Sequence, residues 1–400
     1  MLRAAGTFIL YSCMMFPTLM LTQHASKYYK KNKWIFLFLS IIVLAIPSLF
    51  AGFRGSEVGT DVEVYALPEF TASLRYKNIS DYLEWTGTDI GFAVLAWLCA
   101  NLFNSFNVFL IIIELLQLFP IYIVAMKLKD KAEPWLVVFT FFCLHYIVGF
   151  NIMRQSMAAS FVLLAYVLMK EKRIVQMILS ILIAQLFHST AIVGYALIYA
   201  ISFVFRMKNK YFRFLITGVV AIVAILILSS WEAVASLLIN SGMFQVEKFQ
   251  TYLSVFNGTN MGEKQYMFNV AFSQYLEIIF KAIYFIVPCY YIKTRKREND
   301  YIRNVEYIAI VGVLINLIVL FMFGSAYGYR IAIYCEYFFV MLIPLACPKL
   351  DSRPVNKYRV GTFVVSKQMM MNIFMLLISF IVLFMYFGQH ETLPFYFEVY

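Results

Sequence analysis

Apolar runs long enough to cross a bilayer recur along the whole of this chain, and that repetition limits the possible folds more than any other feature. They lie near 5–22, 34–52, 107–126, 134–152, 153–169, 174–188, 189–205, 212–231, 269–292, 304–323, 329–347 and 368–388. A helix needs ~20 predominantly apolar residues to span the hydrocarbon core. It must also satisfy its own backbone hydrogen bonds, because lipid offers none. The chain is therefore read as an all-α polytopic membrane protein, one integral domain over residues 1–400 with about twelve spanning helices. Composition agrees, at 62% hydrophobic and 14% charged residues, where soluble domains hold roughly 45–50% and about 25%. A water-soluble fold of this composition would expose large apolar patches and aggregate.

The formal charge of +11 raises nucleic acid as a partner. The distribution of that charge excludes it, since the basic residues sit in short clusters between apolar runs. Connectors 23–33, 127–133, 170–173, 206–213, 293–303 and 349–367 hold most of the 33 lysines and arginines. The positive-inside rule puts all of them in the cytoplasm. An odd number of crossings must then separate loop 53–88 from connector 127–133, and the run 107–126 supplies one. The short segment 89–106, interrupted by Asn101 and Asn104, is accordingly expected as a re-entrant or interfacial helix on the outer side. Outer loops 53–106 and 232–268 and two outside termini complete the expected topology. The six cysteines form no CxxC spacing and read as small buried hydrophobes.

With the connectors inside, Arg54, Arg154, His188 and Arg330 fall on the outer face, where the positive-inside rule gives no reason for them. Arg154 and Gln155 open a helix, and a cation is mildly unfavourable there because of the macrodipole. Such a residue binds an anion or a carboxylate, or it anchors the interface by snorkelling. His188 precedes Ser189 and Thr190 at the end of an apolar stretch. It suits either a general base or a hydrogen-bonded packing role. Arg330 again opens a span, among Tyr327, Tyr329 and Tyr334. An aromatic belt explains one or two of those tyrosines, and stacking on sugars would explain the cluster. Arg54 stands before Gly59-Thr60-Asp61 and Tyr65, which alone is ordinary turn chemistry.

Glu277 and Lys281, four apart, read as an internal ion pair. Glu114, Glu306, His145 and Glu336 read as packing groups, with Glu336 best placed to orient Arg330. No Walker motif, His-rich metal pattern or Gly-rich dinucleotide loop occurs, so no cofactor and no metal are expected. Convergent arginines recognise phosphate or pyrophosphate, and an aromatic-rich acidic loop suits a carbohydrate. Together they indicate an enzyme acting on a lipid-linked phosphate at the outer bilayer surface.

Three blocks resemble the EpsG/Wzy-type family of bacterial polysaccharide polymerases. They are Arg54 to Tyr65 (RGSEVGTDVEVY), Asn151 to Ser189 with its Met153-Arg154-Gln155 and Phe187-His188-Ser189, and Tyr329-Arg330-Ile331 running into Tyr334-Cys335-Glu336-Tyr337. Their order and spacing extend across most of the chain, and the second block is the most specific. The resemblance implies a glycosyltransferase of the bacterial inner (cytoplasmic) membrane with a metal-independent, GT-C-like architecture and an outward-facing active site. It would transfer a growing glycan from undecaprenyl pyrophosphate to the non-reducing end of a lipid-linked repeat unit. The product class would be O-antigen, capsule or exopolysaccharide, with a separate chain-length regulator as a further partner. Arg154 and Arg330 would then hold the donor pyrophosphate, and His188 would be the general base with Asp61 as the competing candidate. Arg54, Thr60, Gln155, Tyr327, Tyr329 and Glu336 would bind substrate. A flippase or other transporter and a membrane acyltransferase are the alternatives. Transporters place their charged sites near the midplane, and this chain lacks a clear His-Asp pair for acyl transfer.

Overall fold

Short polar punctuation between apolar runs decides where each helix begins. Asn32 accepts hydrogen bonds from the Trp34 and Ile35 amides and starts α2 (Lys33–Gly52), which pairs with α1 (Leu2–Tyr28) as a hairpin. Such caps satisfy amides that the helix cannot. A π-turn (Val62–Ala66) leads into α3 (Leu67–Ser73), and Asn78 caps α4 (Ile79–Trp85). The segment expected as a re-entrant or interfacial helix is helical as α5 (Ile90–Leu98) and a π-turn (Cys99–Phe103). Asn104 then takes a left-handed conformation (φ 46°), and Ser105 caps α6 (Phe106–Lys127). Asparagine tolerates that conformation better than most residues, so the chain reverses here.

The structure is a computed structural model, which describes residues 2–207, 209, 211–212, 215–216, 279–280, 282–293, 299–323, 327–347, 357–360, 363–389 and 395–398. Loop 232–268, nearly all of the run 212–231, and Glu277 and Lys281 lie outside the described residues. After α6 come α7 (Pro134–Phe141), α8 (Met153–Lys170), α9 (Ile174–Phe187) and α10 (Ala191–Arg206). Further helices cover Ala282–Lys293, Asp300–Phe323, Tyr327–Glu336, Phe339–Ala346 and Lys367–Gln389. Three helices among the described residues have the length and hydropathy of a span: Lys33–Gly52, Phe106–Lys127 and Asp300–Ile318.

Several apolar runs are divided more finely than hydropathy indicates. The run 134–152 is α7, a π-turn (Phe142–Tyr146) and a 3-10 turn (Val148–Phe150). The run 329–347 breaks at Tyr337 and Phe338. One local departure from the all-α expectation occurs within the connector 349–367. There Lys357–Val360 pairs antiparallel with Phe363–Ser366, both rich in β-branched and aromatic residues.

The core is apolar, and unlike that of a water-soluble bundle the outward surface is rich in large apolar residues as well. Helix α8 is buried on every side over Gln155–Leu168 and forms the centre of the core. Helix α9 buries Ser180 and Ala184 and exposes Val175, Ile178, Leu179, Leu182 and Leu186. Helix α10 likewise buries Ala191, Gly194 and Ser202 alongside Ile198 and Ile201, and exposes Ile192, Val193, Tyr199 and Phe203. Small residues at the helix contact with large apolar residues turned outward are the pattern of lipid-facing helices. The apolar helices therefore fit a membrane-embedded protein.

Candidate functional site

The N-terminus of α8 lacks a local cap, since Ile152 offers no side-chain acceptor. The acceptor arrives from 92 residues away: Asp61 Oδ2 takes the Met153 N–H at 3.0 Å. A carboxylate here also opposes the positive end of the helix dipole. Gly59 makes the approach possible, with φ +92° and its Cα against Phe150 and Asn151; a Cβ would be strained there. Beside it the Thr60 N–H donates to Asn151 Oδ1 at 2.9 Å. The first two sequence blocks thus meet at one helix end.

Arg154 points into the same corner. Its Nη1 donates to Asp89 Oδ2 and to Thr88 Oγ1, both at 2.9 Å. Tyr65 and Phe92 lie beside the guanidinium, with ring centroids 5.4 Å and 5.8 Å away. The carboxylate offsets the dipole penalty of a cation at this position. The Arg154 side chain stays 22% exposed. Its two Nη1 hydrogens are used, and the Nε–Nη2 edge has no hydrogen-bond partner among the described residues. That edge is the one that binds a phosphate oxygen pair side-on.

Asp89 reaches further. Its Oδ1 accepts the Ser189 N–H at 3.2 Å, so one carboxylate ties Arg154 to the turn after α9. Close packing of α5 on α9 holds it there, and a Cβ on Gly91 would stand 2.7 Å from the Leu186 carbonyl oxygen. In that turn His188 is extended and half-buried. The Thr190 N–H donates to His188 Nδ1 at 3.3 Å. Because an amide only donates, Nδ1 is the lone-pair nitrogen, and Nε2 carries the proton of the neutral ring. Thr190 Oγ1 lies 2.8 Å from Nδ1 and 2.9 Å from the Tyr334 hydroxyl. A chain of hydroxyls therefore leads from His188 to the helix Tyr327–Glu336. Gln155, buried on α8, reaches the same tyrosine hydroxyl.

That contact brings the third block to the corner. Position 330 is one turn before Tyr334, on the same helix face. The side chains of Tyr327, Tyr329 and Arg330 lie outside the described residues. Glu336 is buried and accepts from Asn316 Nδ2 at 2.7 Å. Arg54 is not brought to the open corner. It is 1% exposed, its guanidinium lies 4.2 Å from the Phe150 ring centroid, and Nη1 donates to the Ala51 carbonyl at 2.6 Å.

Asp89, Thr88 and Thr190 were not singled out by sequence reasoning. The available signal was an acid immediately before the apolar segment 90–98, opposite an arginine that needed one. Among the described residues, no three His, Cys, Asp or Glu side chains converge as a metal site requires. Neither a curated protein nor a solved structure matches the chain. A family match does exist over residues 34–397, spanning all three blocks and the corner they form, and by it the chain belongs to the EpsG family.

Proposed function

We propose that this protein is a polysaccharide polymerase that moves a growing glycan from undecaprenyl pyrophosphate to a lipid-linked repeat unit at the outer membrane face. The EpsG family carries a polysaccharide-polymerase type of role, with a lipid-linked polysaccharide substrate at the membrane. The observation that supports the finer reading is the Nε–Nη2 edge of Arg154, held in place by Asp89 and Thr88 through the other nitrogen. A guanidinium fixed on one side needs little reorganisation to meet a pyrophosphate on the other.

In the proposed reaction an acceptor hydroxyl oxygen attacks the anomeric carbon of the donor sugar. The bond from that carbon to the phosphate oxygen breaks, and undecaprenyl pyrophosphate leaves with the electron pair. Arg154 and Arg330 stabilise the charge growing on it. The acceptor proton passes to Thr190 Oγ1 as Thr190 gives its own to His188 Nδ1, the nitrogen with the lone pair. Thr190 is exposed, so a substrate hydroxyl has access to it. Asp61 caps α8 through Oδ2, whereas His188 presents a lone pair to the exposed Thr190 hydroxyl, which favours His188 as the base.

The test is purified protein in lipid, supplied with lipid-linked repeat units and no nucleotide. Polymer ladders are the expected product, and His188→Ala should reduce them to the single unit. Transbilayer movement of the substrate without chain growth would replace this reading with the transporter.

A further inference from the structure

The loop between α3 and α5 contains a second piece of recognition chemistry, built on Trp85. This residue ends α4 and is 57% exposed, although it is a large aromatic side chain. Tyr82 lies behind it, fully buried, with ring centroids 6.2 Å apart and planes 25° from parallel. Tyr76 completes the shelf, 5.7 Å from both rings. The Tyr82 ring and the backbone at Tyr76 are held by hydrogen bonds. Tyr82 Oη donates to Glu69 Oε1 at 2.5 Å, Thr86 Oγ1 donates to the same oxygen, and the Tyr76 carbonyl accepts from Trp97 Nε1 at 2.9 Å. Burial and the Glu69 carboxylate push the Tyr82 phenol well up, so it remains a donor.

A flat, rigid, outward-turned indole suits a ligand with one apolar face and polar edges. A pyranose ring is such a ligand: its axial C–H face packs on the aromatic plane, and its hydroxyls turn to neighbouring acceptors. Asp81 and Glu84, both exposed on α4, place carboxylates four residues and one residue before Trp85. The position in the chain adds a third argument. Only Thr86 and Gly87 separate Trp85 from Thr88, so the two Cα atoms lie within about 11 Å, and Thr88 and Asp89 are the groups that hold Arg154. The shelf and the groups that hold Arg154 therefore belong to one short stretch of chain.

We propose that Trp85, backed by Tyr82 and Tyr76, is a carbohydrate subsite that stacks one pyranose ring of the glycan substrate. Its link to catalysis rests on the polymerase reading above; sugar binding itself does not.

The probe is the repeat-unit oligosaccharide released by mild acid from the lipid-linked pool of a polymerisation-deficient host, added to the purified protein in nanodiscs. Saturation-transfer NMR should show contact between an indole and sugar C–H protons. Trp85→Ala should raise the Kd about tenfold, Trp85→Phe should recover most of the affinity, and Trp85→Leu should not, because leucine is apolar without a π face. In the polymerisation assay the same loss should fall on KM for the acceptor or donor, with kcat little changed. Equal binding by Trp85→Ala, or full recovery by Trp85→Leu, would overturn the subsite and leave Trp85 as a bilayer anchor. A protein that binds the oligosaccharide through Trp85 yet makes no polymer would keep the subsite and remove the polymerase reading. A Trp85→Ala enzyme that is fully active, beside an inactive Arg154→Ala enzyme, would do the reverse.

Discussion

Arg54 and Arg154 come from the two sequence blocks that meet at the start of α8, yet their surroundings are opposite. Arg54 is 1% exposed and lies on the Phe150 ring, roofed by a strap from the far end of the chain. In that strap Phe397 pairs with Arg54 as an antiparallel bridge, the Glu398 N–H donates to the Phe53 carbonyl at 2.8 Å, and the Gly55 N–H donates to the Tyr396 carbonyl at 2.9 Å. Phe395 stacks on Phe50 with centroids 4.3 Å apart. Arg154 has one nitrogen fixed by Asp89 and Thr88, while the opposite edge of its guanidinium remains open. The same side chain at the same end of the bundle is a frame in one place and a tool in the other. Exposure and the direction of the fixed hydrogen bonds make the difference, and residue type does not.

The largest effect should come from breaking the frame. Arg54→Met removes a buried guanidinium that packs on the Phe150 ring and holds the Ala51 carbonyl. Breaking a buried hydrogen-bond and ring-packing network of this kind typically costs ~3 kcal/mol. The expected outcome is a much lower melting temperature in detergent, with the activity of the surviving folded fraction reduced only a few-fold. Arg154→Ala should give the converse. Losing one preorganised donor to a developing anion costs ~10²–10³ in rate, while its thermal stability should fall less than that of Arg54→Met, because the Asp89 carboxylate it leaves is partly exposed and still accepts the Ser189 N–H. Arg154→Lys should not restore the rate, because an ammonium cannot be held on one side and bind side-on with the other. If both variants lowered stability and activity in proportion, the division into frame and tool would fail.

Much of this was legible in the sequence, for a physical reason in each case. Apolar runs mark helices because lipid and core both demand internal backbone pairing. Arg154 at a helix start implied an anionic partner, because the dipole disfavours a lone cation there; the carboxylate is that of Asp89. The sequence could not name it, since the two are 65 residues apart and meet only through the packing of α5 on α9. Arg54 and Arg154 were indistinguishable as letters, because burial depends on a strap whose four residues, 395–398, carry no periodicity. The helix breaks at Phe142–Tyr146 and at Tyr337–Phe338 were equally hidden, because hydropathy does not change across them.

Asp89→Asn tests the tool more finely. The amide keeps the shape and one acceptor, but loses the charge that holds Arg154 and the second strong acceptor for the Ser189 amide. Charge-assisted hydrogen bonds are worth roughly twice neutral ones, so a loss of about 1–2 kcal/mol, near tenfold in rate, is expected. The rate should fall further than the accompanying small drop in melting temperature accounts for. A kinetic effect as large as that of Arg154→Ala would mean that Asp89 itself touches the reacting atoms.

The smallest effect probes whether frame and tool are coupled. Asn107, buried near the start of α6, donates through Nδ2 to the Gly52 carbonyl at 2.9 Å and to the Glu398 carbonyl at 3.0 Å. One amide therefore clamps the end of α2 to the strap. Asn107→Leu removes both bonds at similar volume and leaves two carbonyls to find other donors. Each intramolecular hydrogen bond is worth about 0.5–1.5 kcal/mol net, so the strap should loosen at a cost of about 1–2 kcal/mol. From Gly55 the chain runs through Gly59 and Thr60 to Asp61, which caps α8 one residue before Arg154. If the strap positions that loop, Asn107→Leu should lower kcat two- to three-fold beyond what the melting curve accounts for, a shift of about 0.5 kcal/mol. If activity instead follows the folded fraction alone, Asp61 holds α8 without help, and the two arginines belong to independent parts of the same helix end.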